Sequence, residues 1–300
     1  MSSELGFTAS LPRLLRSLTR LVRSLTRPLL SFTRLNYMTR VEERADQTRS
    51  RLNARRNMLR FGVAPWLVFA GALVSMAQDA ANVAAEARAE RPNLLKTFPE
   101  ALAVVSDNPR LPRVLLIGDS ISIGYTPIVR ELLGGVANVH RIPDNGGPTL
   151  RGVVMLEEWL EGGRWNVIHF NFGLHDIARV NEGRPRTAIN EYGANLRSVV
   201  ERLRATGAKL IFATTTPVPL VDVRPVRRNS DVIVYNALAT AIVGRDNVSV
   251  DDLYTLAQPR LGEIQQPANV HFTPAGYRVL GEAVAAAIKE QLANKAAPAK

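Results

Sequence analysis

Five short apolar runs, at 113–118, 137–142, 166–172, 208–215 and 247–251, alternate with helix-like stretches near 123–134, 150–161, 187–206, 231–243 and 274–293. That alternation constrains the fold strongly. Strands joined through helices pair in parallel by right-handed crossovers, and the helices cover both faces of the sheet. The pattern predicts an α/β chain with one three-layer α/β/α sandwich over 112–293, built on a five-stranded parallel, flavodoxin-like sheet. A hydrophobic content of 46% is enough for its core. In open sheets of this kind ligands bind outside the carboxyl ends of the strands, so those ends are where chemistry is expected.

Polar and glycine-rich residues gather at those ends. The first strand runs into Gly118-Asp119-Ser120-Ile121-Ser122, and the second into Asn145-Gly146-Gly147-Pro148-Thr149. The third leads to Asn171-Phe172-Gly173-Leu174-His175-Asp176, the fourth to Thr214-Thr215-Thr216-Pro217, and the fifth to Asp251-Asp252 and later Asn269-Val270-His271. Acyl transfer needs a nucleophile, a base and donors for an oxyanion. Ser120 is a candidate nucleophile, and a helix N-cap is its plain alternative. His271 is a candidate base. Its alternative is a histidine that merely precedes a helix, because Thr273-Pro274 reads as a cap followed by a first-turn proline. Gly147 offers a backbone N–H that can approach a ligand closely, or marks a simple turn. Asn171 and His175 offer side-chain donors, and His175 beside Asp176 also fits a structural loop. Trp159, Trp165, Phe172 and Tyr254 suit either a substrate wall or the core.

These blocks resemble the SGNH/GDSL hydrolases over roughly 112–292. Gly118-Asp119-Ser120-Ile121-Ser122 is similar to the family's first block, which implies Ser120 as nucleophile. Asn145-Gly146-Gly147-Pro148-Thr149 resembles the second, which implies Gly147 as an oxyanion donor. Gly173-Leu174-His175-Asp176 resembles the third, with His175 where the family carries its oxyanion asparagine. His271 resembles the catalytic histidine of the last block. That block usually has an aspartate three residues earlier, and here the position is Ala268. The imidazole is then to be oriented by a backbone carbonyl, by Asn269, or by an acid from elsewhere such as Asp252 or Asp176. The resemblance implies a serine esterase acting through an acyl-enzyme. Its expected substrate is a small-molecule or polysaccharide ester, with acetyl esters of extracellular carbohydrate foremost. A lipid or short-chain esterase, or a weakened glycan-binding protein on the same fold, are the competing readings.

The chain has no cysteine, which excludes disulfides, thiolate catalysis and cysteine-ligated metals. Its four histidines, at 140, 169, 175 and 271, show no tight ligand spacing, and Gly146-Gly147 lacks the rest of a phosphate-loop or dinucleotide fingerprint. No metal and no cofactor is expected. The net charge of +11 is uneven: residues 1–60 hold 13 Arg against Glu4, Glu42, Glu43 and Asp46, a net of +9, which leaves +2 for the other 240. Nothing in the body asks for nucleic acid.

The basic residues 1–57, with Arg-Ser-Leu-Thr-Arg at 16–20 and again at 23–27, read as an unstructured leader or as sequence upstream of a true start at Met58. A basic amphipathic helix on a membrane or nucleic acid is the alternative. Residues 58–77 then form a signal peptide or membrane anchor. Arg55, Arg56 and Arg60 precede the uncharged run 61–77, and Ser75 and Ala77 fit a small-x-small cleavage site. The expected location is periplasmic or extracellular, with membrane contact only if 61–77 stays uncleaved. Residues 78–111 read as a helical linker that ends in a loop with Pro92, Pro99 and Pro109, and 294–300 as a disordered tail.

Overall fold

The computed structural model describes residues 64–180, 183–246 and 248–294. The leader 1–57, the start of the export segment at 58–63 and the tail from 295 lie outside the described residues. The chain divides into two units, Met1–Ala70 and Gly71–Lys300, and the second holds the α/β body. In order, the elements are α1 (Ala64–Thr97), α2 (Pro99–Leu102), β1 (Arg113–Ile117), α3 (Ser120–Leu132), β2 (Asn138–Arg141), α4 (Thr149–Leu160) and β3 (Val167–Phe170). A hairpin of β4 (Arg179–Val180) and β5 (Arg184–Pro185) follows, then α5 (Ile189–Arg204), β6 (Lys209–Ala213), α6 (Asn229–Arg245), β7 (Ser249–Asp251), α7 (Leu253–Ala257), α8 (Leu261–Ile264) and α9 (Pro274–Ala293).

The main sheet has the order β2-β1-β3-β6-β7, and every pairing in it is parallel. The central strands β1, β3 and β6 are continuous apolar runs because helices cover both faces. Helices α3 and α9 pack together on one face, and α4, α5 and α6 pack in series on the other. Leu115, Ile117, Phe170, Phe212, Leu196 and Leu280 are almost fully buried between these layers. This is the three-layer α/β sandwich that the alternation of strands and helices predicts. The chain passes from β1 outward to β2, then returns to place β3 on the other side of β1. That reversal opens a crevice at the carboxyl ends of β1 and β3.

Two features depart from the sequence reading. The first is the expected loop with Pro92 and Pro99: Pro92 lies inside α1, and Pro99 opens α2. Proline removes one helical donor, but Arg88 and Arg91, in the turn just before it, are tied to the body. Arg91 makes a bidentate pair with the fully buried Asp144, Nε to Oδ1 at 2.6 Å and Nη2 to Oδ2 at 2.9 Å, and Arg88 pairs with Glu158 at 2.7 Å. Glu90 answers in the other direction, accepting from Arg151 at 2.9 and 3.2 Å. This stretch of α1 is therefore docked against α4, with Ala87 fully buried. The second is the β4–β5 hairpin, whose two-residue strands carry no readable period. Among the described residues no helix is long and apolar enough to cross a membrane.

Candidate active site

Ser120 is the first residue of α3, directly after β1. Asp119 caps the helix, its Oδ1 accepting from the N–H of Ile121 at 2.9 Å. The N–H of Ser120 is thus one of the free donors at a helix N-terminus, where the dipole favours negative charge. The loop is packed tightly from the side of β2. The N–H of Gly146 donates to the Gly118 carbonyl at 2.9 Å, and a Cβ on Gly146 would lie 2.8 Å from that same oxygen. Only glycine lets the two loops approach this closely.

Arg141, which sequence reasoning did not single out, is the centre of this packing. Its Nη2 donates to the carbonyls of Gly118 (2.8 Å) and Asp119 (3.2 Å) and to Ser122 Oγ (3.0 Å). Its Nη1 donates to the carbonyls of Ile142 (2.7 Å) and Asp144 (2.8 Å). Burial lowers its pKa to about 10, so the group stays charged at neutral pH. It clamps the backbone just before Ser120 to the loop after β2. The available signal was an arginine at the inner end of a short strand.

His271 lies just before α9, whose Thr273 cap accepts from the N–H of Gly276 at 3.1 Å and is followed by Pro274. Its Nε2 is 2.9 Å from Ser120 Oγ, and its Nδ1 is 2.8 Å from Asn269 Oδ1. An amide oxygen only accepts, so Nδ1 carries the proton and Nε2 presents its lone pair to the serine hydroxyl. That is the tautomer a general base requires. Asn269 is held in turn. Its Oδ1 also accepts from the His271 N–H at 3.0 Å, and its Nδ2 donates to Gln266 Oε1 at 3.2 Å. Ala268, one position before it, has φ +49, a left-handed conformation within this tight turn. Partial burial lowers the His271 pKa below 6.5, Asp119 raises it, and Arg227 lowers it.

Asp252 and Asp176, the acids considered as partners for His271, do other work. Asp252 caps α7 and accepts from Thr214 Oγ1 at 2.9 Å and Thr255 Oγ1 at 2.6 Å. Asp176 is fully buried and accepts from the N–H and hydroxyl of Thr149, at 3.0 and 2.6 Å. It ties the third strand-end loop to the start of α4, and burial pushes its carboxyl up to about 6.

The donors expected for an oxyanion fare unequally. Gly147 has φ +61, and its N–H points at Asn145 Oδ1, 3.1 Å away. His175 keeps about a quarter of its side chain exposed, with Nε2 4.0 Å from Asp119 Oδ2. Burial pulls its pKa down to about 4, so it is neutral at pH 7 and carries a single N–H. The contact with Asp119 is therefore not an ion pair. Asn171 uses one of its two Nδ2 hydrogens on the Ala213 carbonyl, at 2.7 Å, because the residue spans from β3 to the end of β6, and the second hydrogen has no acceptor among the described residues. Trp159, Trp165 and Phe172 belong to the core, each under a tenth exposed. Among the described residues no three His, Asp or Glu side chains converge on a point that could hold a metal.

The profile of the GDSL-like lipase/acylhydrolase family matches residues 116–279, more than half of the chain. The chain belongs to this family. It is accordingly a hydrolase acting on ester bonds, and its family blocks meet at the crevice described above. Its fold is similar to that of an acetyl xylan esterase, AlAXEase, at 16% identity and a TM-score of 0.51, covering 59% of this chain and 99% of the other. It is also similar to that of a lipase/acylhydrolase from Enterococcus faecalis, at 23% identity and a TM-score of 0.51, covering 62% and 100%. A search of curated proteins finds no significant match.

Proposed function

We propose that the protein is a serine esterase that removes acyl groups, acetyl foremost, from extracellular carbohydrate through an acyl-enzyme. The observation that carries this reading is the connected line Ser120–His271–Asn269, with contacts of 2.9 and 2.8 Å. His271 Nε2 takes the hydroxyl proton while Ser120 Oγ bonds to the ester carbonyl carbon. The resulting oxyanion is received by the N–H groups of Ser120 and Gly147, the latter turning from Asn145, with the N–H of neutral His175 alongside. The carbon–oxygen bond to the sugar breaks, and the imidazolium returns its proton to the departing alkoxide. Water, deprotonated by the same Nε2, then attacks the acyl-serine, releasing the carboxylic acid and restoring Ser120.

Asn269 takes the orienting place that a carboxylate occupies in a Ser–His–Asp arrangement. It fixes the tautomer but adds no negative charge to stabilise the imidazolium. Loss of the acid at Ala268 is therefore no argument for a binding protein that has lost turnover. Carbohydrate is favoured by the export pattern before residue 78 and by an acetyl xylan esterase sharing the fold.

The test uses the full chain with p-nitrophenyl acetate and with acetylated xylan. Release of nitrophenol and of acetate is expected, with a loss of about a thousandfold or more in Ser120→Ala and in His271→Ala. Turnover that survives Ser120→Ala would remove the serine mechanism. Hydrolysis of longer acyl chains in preference to acetyl would move the substrate to lipids.

A further inference from the structure

The loop that carries His175 is flanked by arginines that the chemistry above does not use. Arg227 Nε donates to the Leu174 carbonyl at 2.8 Å, one residue before His175. Arg186 follows β5, and its N–H donates to the Ala178 carbonyl at 2.8 Å, while the neighbouring Thr187 N–H reaches the Asp176 carbonyl at 3.1 Å. The Arg179 N–H binds the Val226 carbonyl at 2.8 Å, so the β4–β5 hairpin and the 223–228 loop form one rim around Leu174–Ala178.

This rim is strongly basic. It carries Arg184, Arg186, Arg224, Arg227 and Arg228 besides Arg179, which is neutralised by Asp231 at 2.6 Å. Among the described residues the other five have no carboxylate within ion-pair distance, although most arginines elsewhere in the body do. In sequence the two rim segments, 179–186 and 223–228, hold six arginines against one acidic residue, Glu182, with Asp222 just before the second segment. The charges of Arg186 and Arg227 both act on the His175 imidazole, and that of Arg227 also acts on His271, so their fields reach the reacting groups. A body of net charge close to zero thus groups arginines beside its catalytic crevice that meet no carboxylate among the described residues.

We propose that Arg186 and Arg227 form an oxyanion-binding subsite at the rim of the crevice, so that the preferred ester carries a carboxylate or phosphate near its scissile bond, an inference that rests on the Ser120 ester chemistry. The planar guanidinium matches both groups with paired N–H donors. Arg227 is held by Leu174 through Nε, which leaves its Nη2 without an acceptor among the described residues. Arg186 is exposed and able to close over a ligand. A neutral acetylated sugar would leave both cations unmatched. An acetylated uronic acid or sugar phosphate would satisfy them while presenting its ester to Ser120.

The test compares kcat/KM of the full chain on O-acetylglucose, O-acetylglucuronate and O-acetylglucose 6-phosphate, read as acetate release. A preference of about tenfold or more for an anionic sugar over the neutral one is expected, shrinking as salt is raised. Which anion gains more separates the carboxylate source from the phosphate source. Arg186→Gln and Arg227→Gln should each lower the anionic-to-neutral ratio by about tenfold, with Arg227→Lys retaining most of it. Arg204→Gln, at the far end of α5 and paired with Asp246, should leave the ratio alone. Equal turnover of all three sugars, or a ratio indifferent to both rim variants, would overturn the subsite while leaving the esterase intact. Ligand-observed NMR of glucuronate and glucose with Ser120→Ala gives the converse. Arg227-dependent binding of glucuronate over glucose, together with no acetate release by the native chain from any of the three sugars, would keep the subsite and remove the esterase.

Discussion

At the scale of single residues, the decisive atom is Asn269 Oδ1. It accepts from Nδ1 and so fixes which nitrogen of His271 faces Ser120. Asn269→Ala removes that acceptor, and kcat should fall by about 10- to 100-fold with little change in KM, because the base is needed in the transition state rather than in binding. Asn269→Asp places a carboxylate at the same nitrogen and raises the His271 pKa. The native value is held below 6.5 mainly by burial. In the proposed mechanism His271 acts only when neutral, so the acid limb of kcat/KM in the native protein should have its midpoint below pH 6.5, and activity should persist into mildly acidic solution. Asn269→Asp should move that limb upward, as should Arg227→Gln, which removes a cation that disfavours the imidazolium. A native limb above pH 6.5 would contradict this environment for His271. Ser120 and His271, which the structure brings to 2.9 Å, could be named as candidates from the sequence because each sits in a motif with its own helix-start signal. Asn269 was legible only as one of several candidates, since its reach depends on the tight turn at Ala268 rather than on any period. Arg141 and Arg227 were not legible, because each acts on backbone carbonyls and a carbonyl leaves no mark in a sequence.

At the scale of elements, the five strands and the helices between them could be read within a few residues, since apolar runs buried on both faces and amphipathic helices have distinct periods. The part of α1 from residue 78 onward was read as helical but taken for a linker, and the part before it as an export segment. What converts it into part of the body is a set of ion pairs between residues more than fifty positions apart, and sequence spacing does not reveal such pairs. Its latch bears on the site indirectly. Arg91 satisfies the buried Asp144, which also accepts from Trp159 Nε1 at 2.5 Å, and the Asp144 carbonyl accepts from Arg141. Arg91→Ala strands a carboxylate that has no exposure, and the expected cost is about 3 kcal/mol. Chemical denaturation would measure it as a lower midpoint. The paired change Arg91→Ala with Asp144→Asn should recover part of the loss, because the buried charge is then gone. No recovery would mean that α1 is held by apolar contacts such as that of Ala87 instead.

At the scale of the whole molecule, two charge regions serve different ends. The first 60 residues carry +9, while the body is near neutral and groups several arginines on the rim beside His175. If the leader and the run 61–77 direct export, they act before the enzyme does and should be absent from the working protein. The proposed cut after Ala77 falls ahead of the docked stretch of α1. Glu86, Ala87, Arg88, Glu90 and Arg91, which make its contacts with the body, would all stay on the mature chain. Cleavage would thus remove the basic leader without loosening the clamp that leads through Asp144 and Arg141 to Ser120. The full chain expressed in a host with a secretory pathway should therefore yield an active protein outside the cytoplasm that begins at Gln78. Mass spectrometry of its N-terminus, together with fractionation of the esterase activity, checks both points. A membrane-bound product that retains 61–77 would make the segment an anchor. An active cytoplasmic product that begins at Met1 would remove export altogether, and with it the main ground for an extracellular carbohydrate substrate.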